Sequence, residues 1–136
     1  MTRGGPRTRP VSRPEAAQFM GKAEEFLDTA QEALEEGRYN AAAGNAVHSG
    51  INAVDAILGI LTGQRASGQD HAQAVQLISV VPGVGREASN HLRRILPLKT
   101  RAEYDPRPVS AADATRAVDQ SHKLVGLARS VMSDRG

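Results

Sequence analysis

Apolar residues recur at three- and four-residue steps along most of this chain, and five segments carry the period of an α-helix. The first starts near Pro14 or Glu15, places Phe19, Ala23, Phe26, Leu27, Ala30 and Leu34 on one face, and ends at Gly37. The second, roughly 39 to 62, repeats Val47, Ile51, Val54, Leu58 and Leu61 and is closed by Gly63. A short third opens at Asp70, which can cap it with Gln73 three residues on, and presents Ala74, Leu77, Ile78 and Val81 before Pro82. The fourth, about 85 to 99, turns Ala88, Leu92, Ile95 and Leu96 inward, with Pro97 set to kink it or end it early. The last opens at Ser110, with Asp113 at capping-box spacing, and repeats Ala114, Ala117, Val118, Leu124, Val125, Ala128 and Val131. No strand alternation or internal repeat appears. Connections this short put consecutive helices side by side, so the expected fold is all-α, an antiparallel up-and-down bundle of four to five helices over residues 15–134.

The second helix has an unusual polar face. Between Arg38 and Arg65 the chain runs 26 residues with one formal charge, Asp55, while Asn45, His48, Asn52 and Asp55 follow helical steps along a single stripe. A solvated face would carry Lys, Glu and Arg. Small residues around the stripe (Ala41 to Gly44, Ala46, Gly50, Ala53, Ala56) let neighbours approach closely, so the stripe is expected to be buried and hydrogen-bonded. Two roles fit it: bonds across the core or a subunit interface, or the lining of a functional cleft.

Composition sharpens this picture. With two Phe, two Tyr and no Trp in 136 residues, the core must be aliphatic and rich in alanine. The absence of cysteine removes disulfides and thiolate metal sites, fits a reducing compartment, and leads to an expected cytoplasmic location. No segment is apolar enough over a sufficient length to span a bilayer. Charge is uneven. Residues 1–14 hold Arg3, Arg7, Arg9 and Arg13 with three prolines and no acid, so of a net +2 the rest of the chain carries −2. That basic tail is expected to be disordered. The first helix is acidic, whereas Arg86, Arg93, Arg94, Lys99, Arg101 and Arg107 make the 86–107 stretch basic, pointing to a polar ligand or a subunit of opposite charge.

The order of several short motifs resembles the HEPN superfamily: a first helix ending E-G-R-Y (Glu36 to Tyr39), a small-residue helix ending D-A-I-L-G (Asp55 to Gly59), G-Q-D-H (Gly68 to His71) before the third helix, and K-T-R-A-E-Y-D (Lys99 to Asp105) before the last. The resemblance covers about 15–132 and implies a four- or five-helix bundle, usually a homodimer. It also implies a toxin–antitoxin or defence setting with a nucleotidyltransferase or antitoxin partner, RNA as ligand and, in many members, metal-independent ribonuclease activity. The implied signature is an Arg followed after four to six residues by a His.

Three pairs have that spacing: Arg86 with His91, Arg116 with His122, and Arg65 with His71. With Arg at about one residue in ten, four His and three permitted spacings, roughly one such match is expected by chance, so position must decide. At the implied position, near Arg101, no His follows. The chemistry needs a general base or acid near neutrality and a cation on the developing phosphorane, which makes Arg86 and His91, at the start of the fourth helix, the candidate catalytic pair. Arg101 and Tyr104 are candidates for holding a phosphate, or for pairing with an acid such as Asp55. An overlapping signal is the stretch from Leu77 to Ile95, where Pro82-Gly83-Val84-Gly85 resembles a helix-hairpin-helix turn whose amides would bind a nucleic-acid phosphate, reinforced by Arg93 and Arg94. A plain interhelical turn explains the same residues. No phosphate loop, dinucleotide fingerprint, nucleophile elbow or paired metal-ligand spacing is present, so no cofactor and no metal is expected.

Overall fold

The computed structural model describes residues 7–68 and 70–135, the last by its backbone alone. It is an all-α bundle. In chain order the elements are β1 (Thr8–Pro10), α1 (Arg13–Glu35), α2 (Tyr39–Thr62), β2 (Gln64–Ala66), α3 (Ala72–Ser79), α4 (Gly85–Ile95), α5 (Pro97–Glu103) and α6 (Ala111–Arg135). Helix α1 begins with a complete capping box: Ser12 Oγ accepts from the Glu15 amide at 3.2 Å, and Glu15 Oε1 accepts from the Ser12 amide at 2.9 Å. It stops where Gly37 takes φ +75°, and α2 stops at Gly63 with φ +70°, a conformation other residues reach only with strain.

The long helices α1, α2 and α6 pack on one another, with α4 completing the core against α2 and α6. Leu27, Val47, Val54, Ile57, Leu58, Leu92, Ile95, Leu124 and Val125 are fully or almost fully buried, and alanines such as Ala16, Ala23, Ala30 and Ala46 let the helix axes close on one another. Each buried Leu or Ile stabilises the fold by about 1.5–3 kcal/mol. Ser49, fully buried in α2, donates to the Ala23 carbonyl of α1 at 2.7 Å, which satisfies its hydroxyl across the helix pair.

One segment departs from the sequence expectations. Of the basic segment expected to be disordered over 1–14, residues 1–6 lie outside the described residues, whereas residues 8–10 form β1, paired antiparallel with β2 in the register Thr8 to Ala66 and Pro10 to Gln64. Val11 then seats its side chain over Gly59 of α2, where an added Cβ would lie 2.6 Å from Val11 Cγ1. This tertiary seat, not local β propensity, orders the segment. The fourth helix is split at Pro97, as the sequence predicts, into α4 and α5, because proline cannot donate to the preceding turn; Leu96 itself keeps helical angles, and α5 runs on to Glu103.

Candidate functional site

Helix α4 presents two polar rows. Arg86, Asn90 and Arg93 follow three- and four-residue steps on one side, and the Arg93 Nη2 donates to Asn90 Oδ1 at 2.9 Å. Glu87, His91 and Arg94 follow the same steps on another side, toward α6. Arg86 and His91 are five positions apart, about 140° around the helix, so the structure does not bring the candidate catalytic pair together. Arg86 is exposed and makes no side-chain hydrogen bond or ion pair among the described residues.

His91 is buried instead, with 6% of its surface exposed. Its Nδ1 lies 2.5 Å from Gln120 Oε1 of α6, and the Arg94 Nη1 donates to the same oxygen at 3.3 Å. The His91 Nε2 lies 3.4 Å from Glu87 Oε2. Alongside this group, α5 contributes Arg101, whose Nη1 donates to Asp113 Oδ2 at 3.0 Å, and Arg116 of α6 donates to the other oxygen of the same carboxylate. These hydrogen bonds, Arg116 first and then Arg101, hold the Asp113 carboxyl below the ordinary range. Arg94, Pro97, Arg101, Asp113, Arg116 and Gln120 line one cleft of about 350 Å³. The Arg101 Nε is buried and has no hydrogen-bond partner among the described residues.

The cleft is therefore a set of guanidinium groups around a single carboxylate, beside a held imidazole. Guanidinium forks match the oxygens of phosphate as well as those of carboxylate, so the arrangement suits an anion with two or more acceptor oxygens. His91, Arg94 and Arg101 stand out in the sequence, Arg116 only through its spacing from His122, and Glu87, Asp113 and Gln120 not at all as site residues. A usable signal existed for α6, since Asp113, Arg116 and Gln120 recur at three- and four-residue steps and make a polar row next to the apolar one.

The stripe on α2 does not form a buried network. Only Asp55 is buried; Asn45, His48 and Asn52 are half-buried. Asn45 donates to the Ala41 carbonyl and Asn52 to the His48 carbonyl, each at 2.8 Å, so both amides are satisfied by their own helix. His48 Nε2 lies 3.2 Å from Glu103 Oε1, joining α2 to α5, and its ring packs against Phe26 with centroids 5.6 Å apart. Asp55 lies 3.7 Å from Arg65 of β2, whose guanidinium also covers the Phe19 ring at 4.9 Å. Burial pushes the Asp55 carboxyl up to about 6 despite the opposing pull of Arg65.

Tyr104 pairs with neither Arg101 nor Asp55. It is 72% exposed, with the Lys99 Nζ 5.8 Å from its ring centroid, while Arg101 is committed to Asp113. Of the other spaced pairs, Arg65 is held by Asp55 and Phe19, and His122 is exposed on α6. The Pro82-Gly83-Val84-Gly85 turn does join α3 to α4 as a hairpin, with Gly83 at φ +85°. Yet the Val84 and Gly85 amides donate inside the turn, to Pro82 and Val81, and are not available to a phosphate. Arg93 and Arg94 diverge onto different sides of α4. Among the described residues, no three His, Asp or Glu side chains gather as a metal-ligand set, and no helix is long and apolar enough to cross a membrane.

No curated protein is matched by this chain. A family model for the HEPN domain matches residues 16–131, from the first turn of α1 to near the end of α6. With nearly all of the bundle inside that match, the chain belongs to the HEPN family.

Proposed function

We propose that this HEPN protein binds single-stranded RNA and seats a backbone phosphate in the cleft between α4, α5 and α6. The observation that carries this reading is the convergence of Arg94, Arg101 and Arg116 on one cleft against one carboxylate, Asp113. A phosphate oxygen pair entering there takes the guanidinium hydrogen bonds that Asp113 now accepts. The toxin–antitoxin or defence setting, a homodimeric state, and a nucleotidyltransferase or antitoxin partner belong to the same proposal and rest on the family alone. Binding of a labelled RNA pool, followed by fluorescence anisotropy across a salt series, tests the reading. Affinity should fall steeply with salt, and Arg94→Ala and Arg116→Ala should each weaken it about tenfold. Salt-insensitive binding, or none, ends it.

A second reading, metal-independent cleavage, is favoured by one observation: His91 and Arg94, one turn apart, both reach Gln120 at the edge of the cleft. In such a reaction the ribose 2′-oxygen attacks the adjacent phosphorus as its proton passes to an imidazole nitrogen. The bond to the 5′-oxygen then breaks, and that oxygen takes up a proton. Glu87 covers the His91 Nε2 and would have to swing outward first, which its exposed side chain permits. Incubation of RNA with the protein in EDTA separates the readings. Discrete cleavage lost in His91→Ala, with binding retained, establishes catalysis; intact RNA leaves the protein as a binder.

A further inference from the structure

Pro97, where α4 gives way to α5, lines two depressions at once. On one side is the arginine cleft. On the other is a groove of about 500 Å³, within the range of small-molecule sites, with Ala72, Val75 and Leu96 as apolar walls. His71, Arg93 and Lys99 stand along its polar rim. Adjacent residues of α4 thus serve opposite sides of the Pro97 ridge, Arg94 in the cleft and Arg93 in the groove.

The charge balance of the two depressions differs. The Lys99 ammonium lies 3.8 Å from Glu103 Oε2, and Asp70 also lines the groove, so its cations are offset by carboxylates. Burial lowers the pKa of His71, and Lys99 and His48 nearby lower it further, with Asp70 and Glu103 opposing. A ring so placed stays neutral at neutral pH and offers one donor and one acceptor nitrogen. Apolar walls with a neutral hydrogen-bonding edge suit a flat, uncharged heterocycle better than a second phosphate.

We propose that this groove is a nucleobase subsite: a base of the RNA strand held in the arginine cleft turns over Pro97, lays its face against Val75 and Leu96, and is read along its edge by His71. The inference rests on the phosphate reading of the arginine cleft. Its test compares a labelled RNA oligonucleotide with an abasic strand of the same length, which keeps every phosphate and loses the bases. The full strand should bind about tenfold tighter, the scale of one base held against side chains. Ala72→Leu, which fills the groove from an exposed position on α3, should erase that difference and leave abasic binding unchanged. His71→Ala, which leaves the apolar walls intact, should reduce it. Equal binding of full and abasic strands overturns the subsite while leaving the arginine cleft in place. A difference that persists in both variants puts the base elsewhere and also overturns it. Failure of either strand to bind removes the phosphate reading and the subsite together.

Discussion

Two aspartate–arginine contacts in this molecule involve the same chemistry and behave in opposite ways. Asp55 lies in α2 with its side chain 10% exposed and Arg65 3.7 Å away; burial outweighs attraction, and its carboxyl is pushed up to about 6. Asp113 lies in α6 with its side chain 25% exposed and bonded to both Arg101 and Arg116; here hydrogen bonding wins, and the carboxyl is held below its usual range. The difference separates a pair closed into the bundle from one at a cleft wall, and it is the second that the proposed RNA phosphate meets. Asp55 fastens β2 to the bundle from inside, with the Arg65 guanidinium set between it and the Phe19 ring. Asp113 occupies guanidinium groups at the wall of a cleft, where an incoming anion can replace it.

The largest effect should come from breaking the inner pair. Arg65→Ala leaves Asp55 buried without its cation and should cost about 2–3 kcal/mol in urea unfolding above pH 6, less than for a fully enclosed pair because Arg65 is partly exposed. The loss should shrink below about pH 5, where Asp55 is neutral. Equal losses at both pH values would remove the distinction between the two pairs. Asp55→Asn is the reciprocal case. A folded-state carboxyl raised from 3.8 to about 6 contributes stability that is complete below its unfolded value and lost as pH rises through 6. The Asn variant should therefore be more stable than the parent by about 1–2 kcal/mol above that point and no more stable near pH 4.

At the outer pair the readout is affinity. Asp113→Asn should tighten RNA binding about tenfold at low salt, because the competing carboxylate is gone. Asp119→Asn removes the same charge from the same helix outside the cleft, in an exposed pair with Lys123, and should change affinity less than about twofold. Similar gains in both variants would reduce Asp113 to a diffuse charge effect. The smallest change belongs to Arg86→Ala. Its side chain projects away from the cleft, so affinity should move by less than about twofold.

Local chemistry made the bundle legible in the sequence. Pro14, Gly37, Gly63 and Pro97 act on their own backbone, and helix ends fall at or beside them. The β1 and β2 segments, T-R-P and Q-R-A, carry no alternation, and their pairing depends on contacts more than fifty residues apart in the chain, so no local signal marks them. The stripe on α2 shows the limit of composition. Its low charge correctly marks a packed helix, but Asn45 and Asn52 find acceptors one turn back, which periodicity does not distinguish from bonds across the core. At the cleft, His91, Arg94 and Arg101 stood out by type. Their grouping with Asp113, Arg116 and Gln120 depends on the angle at which α6 faces α4 and α5, and the pattern of one helix does not encode that angle.

Gly59 matters for the side chain it lacks. Val11 fills that vacancy, and the same stretch of chain is tied down by the Val11 amide on the Gly63 carbonyl and the Ser67 amide on the Arg7 carbonyl. Together with the β1–β2 ladder these contacts tie residues 7–11 to the end of α2, so the ribbon and the end of α2 should open as one cooperative unit in hydrogen exchange, ahead of the three long helices. Gly59→Ala would lower the protection of those amides together while the slowest-exchanging core of α1, α2 and α6 keeps its rate. The absence of one methyl group on α2 thus sets how long residues 7–11 stay docked.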